Sequence, residues 1–206
     1  MARENIKEHV HEDISVASAR LRILHVASEL FYHEGIRSVG IDTLIERSHV
    51  AKATFYHHFR SKDALIAAYL EARKEVFLAW FDAAVQPFAG SPQEQLMALF
   101  EALRQKVSVP AYRGCAFINA STEFPDIAHP GHVLPQSTKH EVLQRLRTIC
   151  RQTNAARPDM LADQLMLLME GVFVTTPIFG VEGPASGVEE AASLLIAAHC
   201  SAKPVL

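Results

Sequence analysis

GIRSVGIDTLIERSHVAKATFYHHFRSKDAL, running from Gly35 to Leu65, holds two short helical segments separated by a tight turn. In the first, about Ile41 to Ser48, the residues Ile41, Leu44 and Ile45 fall on one side. In the second, about Ala51 to His58, Phe55 and the following Phe59 do the same. Upstream, a helix from about Ser15 to Glu34 carries Ile23, Ala27, Leu30 and Phe31 as one apolar stripe. Gly35 then stands where a left-handed residue ends a helix without Cβ strain. Downstream, Ser61 is a good N-cap for a long helix from Lys62 to about Val85, in which Leu65, Tyr69, Ala72, Val76 and Trp80 keep helical spacing. Two short helices joined by a turn and preceded by a longer one form the helix-turn-helix arrangement. Its second short helix must lock an apolar face onto its neighbours and show small and polar residues to a major groove. Phe55 and Phe59 supply the lock, and Lys52, Ala53, Thr54, Tyr56, His57 and His58 the exposed set. Lys52 suits a phosphate or a guanine edge, and Thr54 a phosphate or a thymine methyl. Lys62, at the N-terminus of the next helix, adds positive charge where free N–H groups favour a phosphate.

Val50, Lys52, Thr54, Phe55, Tyr56, His58, Phe59, Ser61 and Lys62 fit the pattern V-x-K-x-T-[LF]-Y-x-H-F followed by a Ser-Lys pair, so the segment resembles the DNA-binding signature of the TetR (tetracycline-repressor) family. The resemblance implies that Lys52, Ala53, Thr54, Tyr56 and His57 face DNA, with phosphate contacts from Tyr56, His58 and Lys62. It also implies a homodimer closed by the last two helices and a small-molecule effector. Two departures stand out. Many members have a Thr-Ser pair opening the second helix, whose hydroxyl touches phosphate. Val39 and Gly40 stand there, so either no side chain makes that bond or Thr43 does. Many carry Gly in the turn before the recognition helix; here it is His49, which tolerates the left-handed region better than most residues.

Composition agrees with a folded chain and not with a polycation. Of the 206 residues 49% are hydrophobic, enough for a core, and the formal net charge is −3. Residues 1–62 hold nine Lys and Arg against eight Asp and Glu, a balance of +1; residues 63–206 hold eleven against fifteen, a balance of −4. Cys115, Cys150 and Cys200 are odd in number, widely spaced and without a CxxC pair, unlike a disulfide framework. Met1 to Asp13 lacks the apolar segment of a signal peptide, and Leu165 to Val181 is interrupted by Glu170, Gly171 and Pro177. The expectation is a cytoplasmic protein with no membrane partner.

The rest of the chain also reads as helix, giving an all-α fold of about nine helices: a flexible arm at 1–14, the DNA-binding head at 15–62 and a ligand-sensing, dimerising body at 63–206. Helices are expected at about Pro92 to Val107 (capped by Ser91), Cys115 to Phe124, Ser137 to Thr153, Asp159 to Phe179 and Gly187 to His199. Pro125, Pro130, Gly131 and Pro135 mark an irregular connection, and Ser186 with Glu189 forms a capping box. In RGCAFINASTEF from Arg113, helical geometry puts Cys115, Asn119 and Glu123 on one face. A thiol, an amide and a carboxylate so placed suit a mostly apolar ligand cavity. Equally, Asn119 and Glu123 serve to cap or tie neighbouring helices, with Cys115 a buried hydrophobe. Together with LADQLMLLMEGVFV from Leu161, this fragment resembles one C-terminal subgroup of the same family. Further ligand-binding candidates are Phe77, Trp80, Phe81, Phe100, Phe117, Met166, Met169, Glu170 and Phe173, several of which serve as core instead.

No cofactor and no metal are expected. His129, His132 and His140 follow no zinc spacing, and the H-P-G-H run reads as a solvated turn. A redox role for Cys115 needs a depressed thiol pKa, which Arg113 can help supply. The last two helices are apolar on more than one face, which calls for a second copy as cover. The competing readings are an activator or architectural DNA-binding protein without a ligand, and a helical enzyme; no nucleophile elbow, P-loop or dinucleotide fingerprint supports the last.

Overall fold

The computed structural model describes residues 19–201, so the expected arm at 1–14 lies outside the described residues. Nine α-helices and no strand are found among them: α1 (19–34), α2 (Ile41–Ser48), α3 (Lys52–His58), α4 (Lys62–Val85), α5 (Pro92–Val107), α6 (Ala116–Glu123), α7 (Pro130–Cys150), α8 (Pro158–Phe179) and α9 (Val188–Ser201). Single 3₁₀ turns follow α4 at Gln86–Phe88 and precede α9 at Pro184–Gly187.

The chain divides into two compact units. One holds the described residues up to Ala72 together with Asn119–Leu134; the other holds Arg73–Ile118 and the chain from Pro135 on. The division thus falls inside α4, later than the boundary expected at residue 62. The expected body also gives up residues 119–134 to the head.

The first unit is built on the stripe expected of α1. Ile23, Ala27 and Phe31 are buried with Leu44, Phe55, Phe59, Leu65, Ile66, Tyr69 and Leu70. Gly35 ends α1 at φ +89°, and a Cβ there would meet Glu123 Oε1 at 3.4 Å. Val39, in place of the usual hydroxyl residue, is buried. Gly40 precedes α2 as an extended N-cap with no side-chain bond. His49 ends α2 in the left-handed region, φ 53° and ψ 45°, and its N–H reaches Glu46 O. Ala51 O accepts the Phe55 N–H at 3.0 Å to open α3. Ser61 caps α4 as expected, its Oγ accepting the Ala64 N–H at 3.1 Å.

In the second unit α5, α8 and α9 pack on one another. Leu96, Leu99, Phe100, Leu103 and Val107 of α5 are buried, as are Leu161, Leu165, Met169, Val172 and Phe173 of α8. Several expectations need correction. Val76 is 62% exposed although it fits the spacing of α4, because this helix is apolar on more sides than one. The expected irregular connection is confined to residues 124–129, and from Pro130 on it is the first turns of α7: Pro130 sits at its start, where a missing N–H is harmless. Pro135 lies inside the same helix, and the division between the two units falls there. Gly131 permits the start, since a Cβ would lie 2.4 Å from the Phe124 ring. The capping box does not form, because Ser186 belongs to the 3₁₀ turn and donates to Gly183 O at 2.8 Å. Ser91 precedes α5, but its hydroxyl makes no cap bond. By length and composition α8 is long and apolar enough to cross a membrane. Its buried contacts with α5 and α9 give that apolar content another purpose.

Candidate nucleic-acid interface and sensor cluster

The turn between α2 and α3 fixes which side of α3 is shown. Phe55 is fully buried, 5.5 Å from the Tyr56 ring and 6.3 Å from Phe59. With those rings inside, Lys52, Ala53, Tyr56 and His57 are exposed and Thr54 is half-buried. Tyr56 is 40% exposed, a large apolar ring left on the surface of a short helix. Thr43 is exposed in the first turn of α2. Lys52 Nζ lies 3.9 Å from Asp42 Oδ1, a loose surface pair that leaves the ammonium available.

Two expected phosphate ligands are held otherwise. His58 is half-buried, and its Nε2 is buried without a hydrogen-bond partner. Burial holds its imidazolium below the usual range, with the charges of His57 and Arg20 acting the same way. Lys62 lies over the Phe31 ring at 5.9 Å and donates to Arg37 O at 3.5 Å, so it is not a free surface cation. Burial lowers its pKa while Glu123 and Asp63 oppose that shift. Arg47 in the last turn of α2 and Arg60 after α3 are exposed cations that motif reading passed over. A tally of basic residues bordering the turn would have found both.

Glu123 takes the second of its two expected roles, a tie to a neighbouring helix end rather than a place in a ligand cavity. Its carboxylate accepts the Ile36 N–H at 3.0 Å and the Arg37 N–H at 2.7 Å, tying the turn after α1. The surrounding contacts reinforce that tie. Arg37 lies over the Phe124 ring at 5.3 Å, and Phe124 stacks on His129 at 4.0 Å. His129 Nε2 is 3.3 Å from Asp63 Oδ1, and His132 Nδ1 is 3.2 Å from Phe124 O. The H-P-G-H run is thus packed and hydrogen-bonded rather than a solvated turn. Among the described residues no group of three or more His, Cys, Asp or Glu side chains is placed to share a metal ion. The residues Cys115, Asn119 and Glu123 fall in different units, Cys115 directly before α6 and the other two on it. Cys115 belongs to the second unit, and Asn119 and Glu123 to the first.

Within the second unit the aromatic candidates do meet. Phe77 is 5.2 Å from Trp80, 6.0 Å from Phe117 and 5.9 Å from Phe173 between ring centres. Two lysines that were not anticipated join them. Lys139 Nζ lies 4.9 Å from the Phe173 centre and 5.5 Å from that of Phe77, and bonds Glu170 at 2.6 Å. Lys106 Nζ lies 4.8 Å from the Trp80 centre and 5.8 Å from that of Phe77. Both fall on the buried stripe of their helices: Lys106 beside Leu99, Leu103 and Val107, Lys139 beside Pro135, Val142 and Leu146. A cation at a stripe position was the available signal. Phe81, Phe100 and Met169 are buried in the core, Met166 is half-buried, and Cys115 is buried. The Cys150 thiol, pushed up to about 12 chiefly by burial, is inert at neutral pH.

Comparison with known proteins agrees with the helical architecture. Residues 23–69 match the family described as bacterial regulatory proteins, tetR family. A crystal structure of a TetR-family transcriptional regulator from Streptomyces coelicolor superposes with a TM-score of 0.84 at 30% identity, over 89% of this chain and 97% of that one. The HTH-type transcriptional regulator YjdC of Escherichia coli K12 is 25% identical over 149 residues, 72% of this chain and 78% of that protein. The HTH-type transcriptional repressor NemR of the same strain is 26% identical over 110 residues, 53% of this chain and 55% of that protein.

Proposed function

Taking as premise that this chain belongs to the tetR family of bacterial regulatory proteins, we propose that it is a homodimeric repressor that binds a palindromic DNA operator and is released by a small-molecule effector. The observation that carries the reading is α3 itself: Phe55 buried, with Lys52, Ala53, Tyr56 and His57 outward. Lys52, Ala53, Thr54, Tyr56 and His57 meet the major groove, and Thr43 and Tyr56 meet flanking phosphates, whereas His58 stays within the head. Lys62 reaches phosphate only by leaving Arg37 O. Repression, rather than activation, is supported by the naming of the relative NemR as a repressor.

The effector site is the aromatic cluster of Phe77, Trp80, Phe117 and Phe173. Helix α6 carries Phe117 at one end and Glu123 at the other, so an effector that displaces Phe117 strains the bonds from Glu123 to Ile36 and Arg37. Release follows if the effector prefers the strained state; a coupling of about 1–3 kcal/mol is ordinary for such linkage. Dimerisation uses the exposed apolar side chains of α8 and α9, among them Leu167, Ile178 and Leu194. The test is salt-dependent binding to a duplex selected from random sequence. Lys52→Ala should lower the slope of log affinity against log salt by about 1, the value for removing one phosphate partner, or relax one base preference. If Lys52→Ala and Tyr56→Ala leave affinity, slope and preference unchanged, the interface is elsewhere.

A further inference from the structure

We infer that the effector is an organic anion, a carboxylate-bearing molecule with an apolar body, whose charged group pairs with Lys106 while its body lies on the rings of Phe77, Trp80, Phe117 and Phe173. This rests on the reading of that cluster as the effector site.

The charges around the rings select the class. A cluster of aromatic faces by itself favours a cation, because each ring presents its negative face. Here those faces already hold cations belonging to the protein: Lys106 on Trp80 and Phe77, Lys139 on Phe173 and Phe77. A cationic ligand would have to displace an ammonium group that is tethered beside it. The two lysines differ in one respect. Lys139 is neutralised by Glu170 at 2.6 Å. Lys106 has no carboxylate within ion-pair distance among the described residues. The titratable groups that act on it are the Cys115 thiol, neutral unless ionised, and the Arg73 guanidinium. Burial holds the Lys106 ammonium below the usual lysine range, Cys115 opposes this and Arg73 adds to it. A half-buried cation set against two ring faces and a neighbouring guanidinium lacks the counter-charge that such groups normally find. An anion entering from outside supplies it and turns a ring contact into a charge-assisted hydrogen bond. A neutral ligand gains only the ring contacts and leaves the ammonium as it was.

Trp80 is the only tryptophan of the chain, so intrinsic fluorescence reports this site directly and without DNA. The experiment titrates the full-length protein with three families matched in body and different in charge: phenylacetate, 4-phenylbutyrate and octanoate, each beside its primary amide and its ammonium counterpart. At least one carboxylate is expected to give a saturable change in Trp80 emission at tenfold lower concentration than its amide, with the ammonium weaker still. Lys106→Met should remove the advantage of carboxylate over amide, and Lys106→Arg should keep it; circular dichroism of both variants checks that they fold. Amides or ammonium compounds binding as tightly as carboxylates would overturn the anion assignment and leave the effector site standing. So would a carboxylate preference undiminished in folded Lys106→Met. Silence of Trp80 toward all nine compounds would overturn the effector-site reading and the anion assignment with it.

Discussion

Glu123 holds two consecutive backbone N–H groups from a distance of more than eighty residues along the chain, at 3.0 Å to Ile36 and 2.7 Å to Arg37. A carboxylate on backbone N–H groups is a charge-assisted acceptor, and its removal strands donors that the turn cannot satisfy within itself. Glu123→Ala should therefore destabilise the protein by about 1–3 kcal/mol in urea unfolding. Glu123→Gln should lie between, since one amide oxygen remains; an unchanged midpoint in both would show that water replaces the carboxylate without cost. His49 makes the opposite case, a residue whose conformation was legible from its position alone. At φ 53° it stands where a side chain crowds the following carbonyl. His49→Gly should raise stability by up to about 1 kcal/mol, and His49→Val should lower it; a glycine variant less stable than the parent would refute the strain. The difference between the two residues is one of range. The turn at His49 is dictated by neighbours within the quoted segment. The helical spacing of Glu123 was read from the sequence, but its partner was not, because nothing local identifies a turn so remote in sequence.

At the scale of single helices, α3 shows how far a short apolar lock determines exposure. Two phenylalanines four residues apart leave only one side of seven residues for solvent, so this element was readable from its own sequence. His58 is the place where that economy creates a dependence on pH. Its folded-state pKa lies below the ordinary histidine value of 6.5 because burial disfavours the imidazolium, with His57 and Arg20 adding repulsion. The neutral form is thus the one the fold prefers. Its contribution is fully present above about pH 6.5 and is lost as pH falls from there through the lower folded value, since the unfolded chain takes up the proton first. The melting temperature of wild type should drop more steeply than that of His58→Gln between pH 7.5 and pH 5. Parallel curves would show that His58 does not titrate with folding. Helix α7 was less legible. Three prolines and a glycine between 125 and 135 look like loop signals, yet Pro130 fits a first turn and Gly131 is required by the Phe124 ring. Only the tertiary packing against Phe124 separates those outcomes. Lys106 and Lys139 escaped for a related reason: a lysine on an apolar stripe has a long stem, and the rings that receive its ammonium come from other helices.

At the scale of the whole molecule, the all-α class and the order of helices followed from periodicity and caps, whereas the limits of the two units did not. Residues 119–134 join the first unit through Glu123, Phe124 and His129, contacts that no composition shift announces. The proposed dimer belongs to this scale. Leu167 is 72%, Ile178 67% and Leu194 64% exposed in the single chain, apolar side chains that a second copy would bury. Leu194→Glu combined with Leu167→Glu should convert a dimer to a monomer in size-exclusion chromatography with light scattering, and should weaken operator binding by at least tenfold. A double variant that remains dimeric would move the interface off α8 and α9.

If the outward side of α3 reads a base-pair groove, and does so twice in a symmetric protein, the DNA it retains must carry that symmetry. The most direct measurement is selection from a random duplex pool by the full-length protein, followed by sequencing of what is retained. The expected result is an enriched inverted repeat whose half-site centres lie about 34–36 Å apart or a multiple of it, with Lys52→Ala changing base preference or affinity within each half. Retention without any sequence enrichment, or an enriched site that Lys52→Ala, Tyr56→Ala and His57→Ala all bind as wild type does, would contradict it.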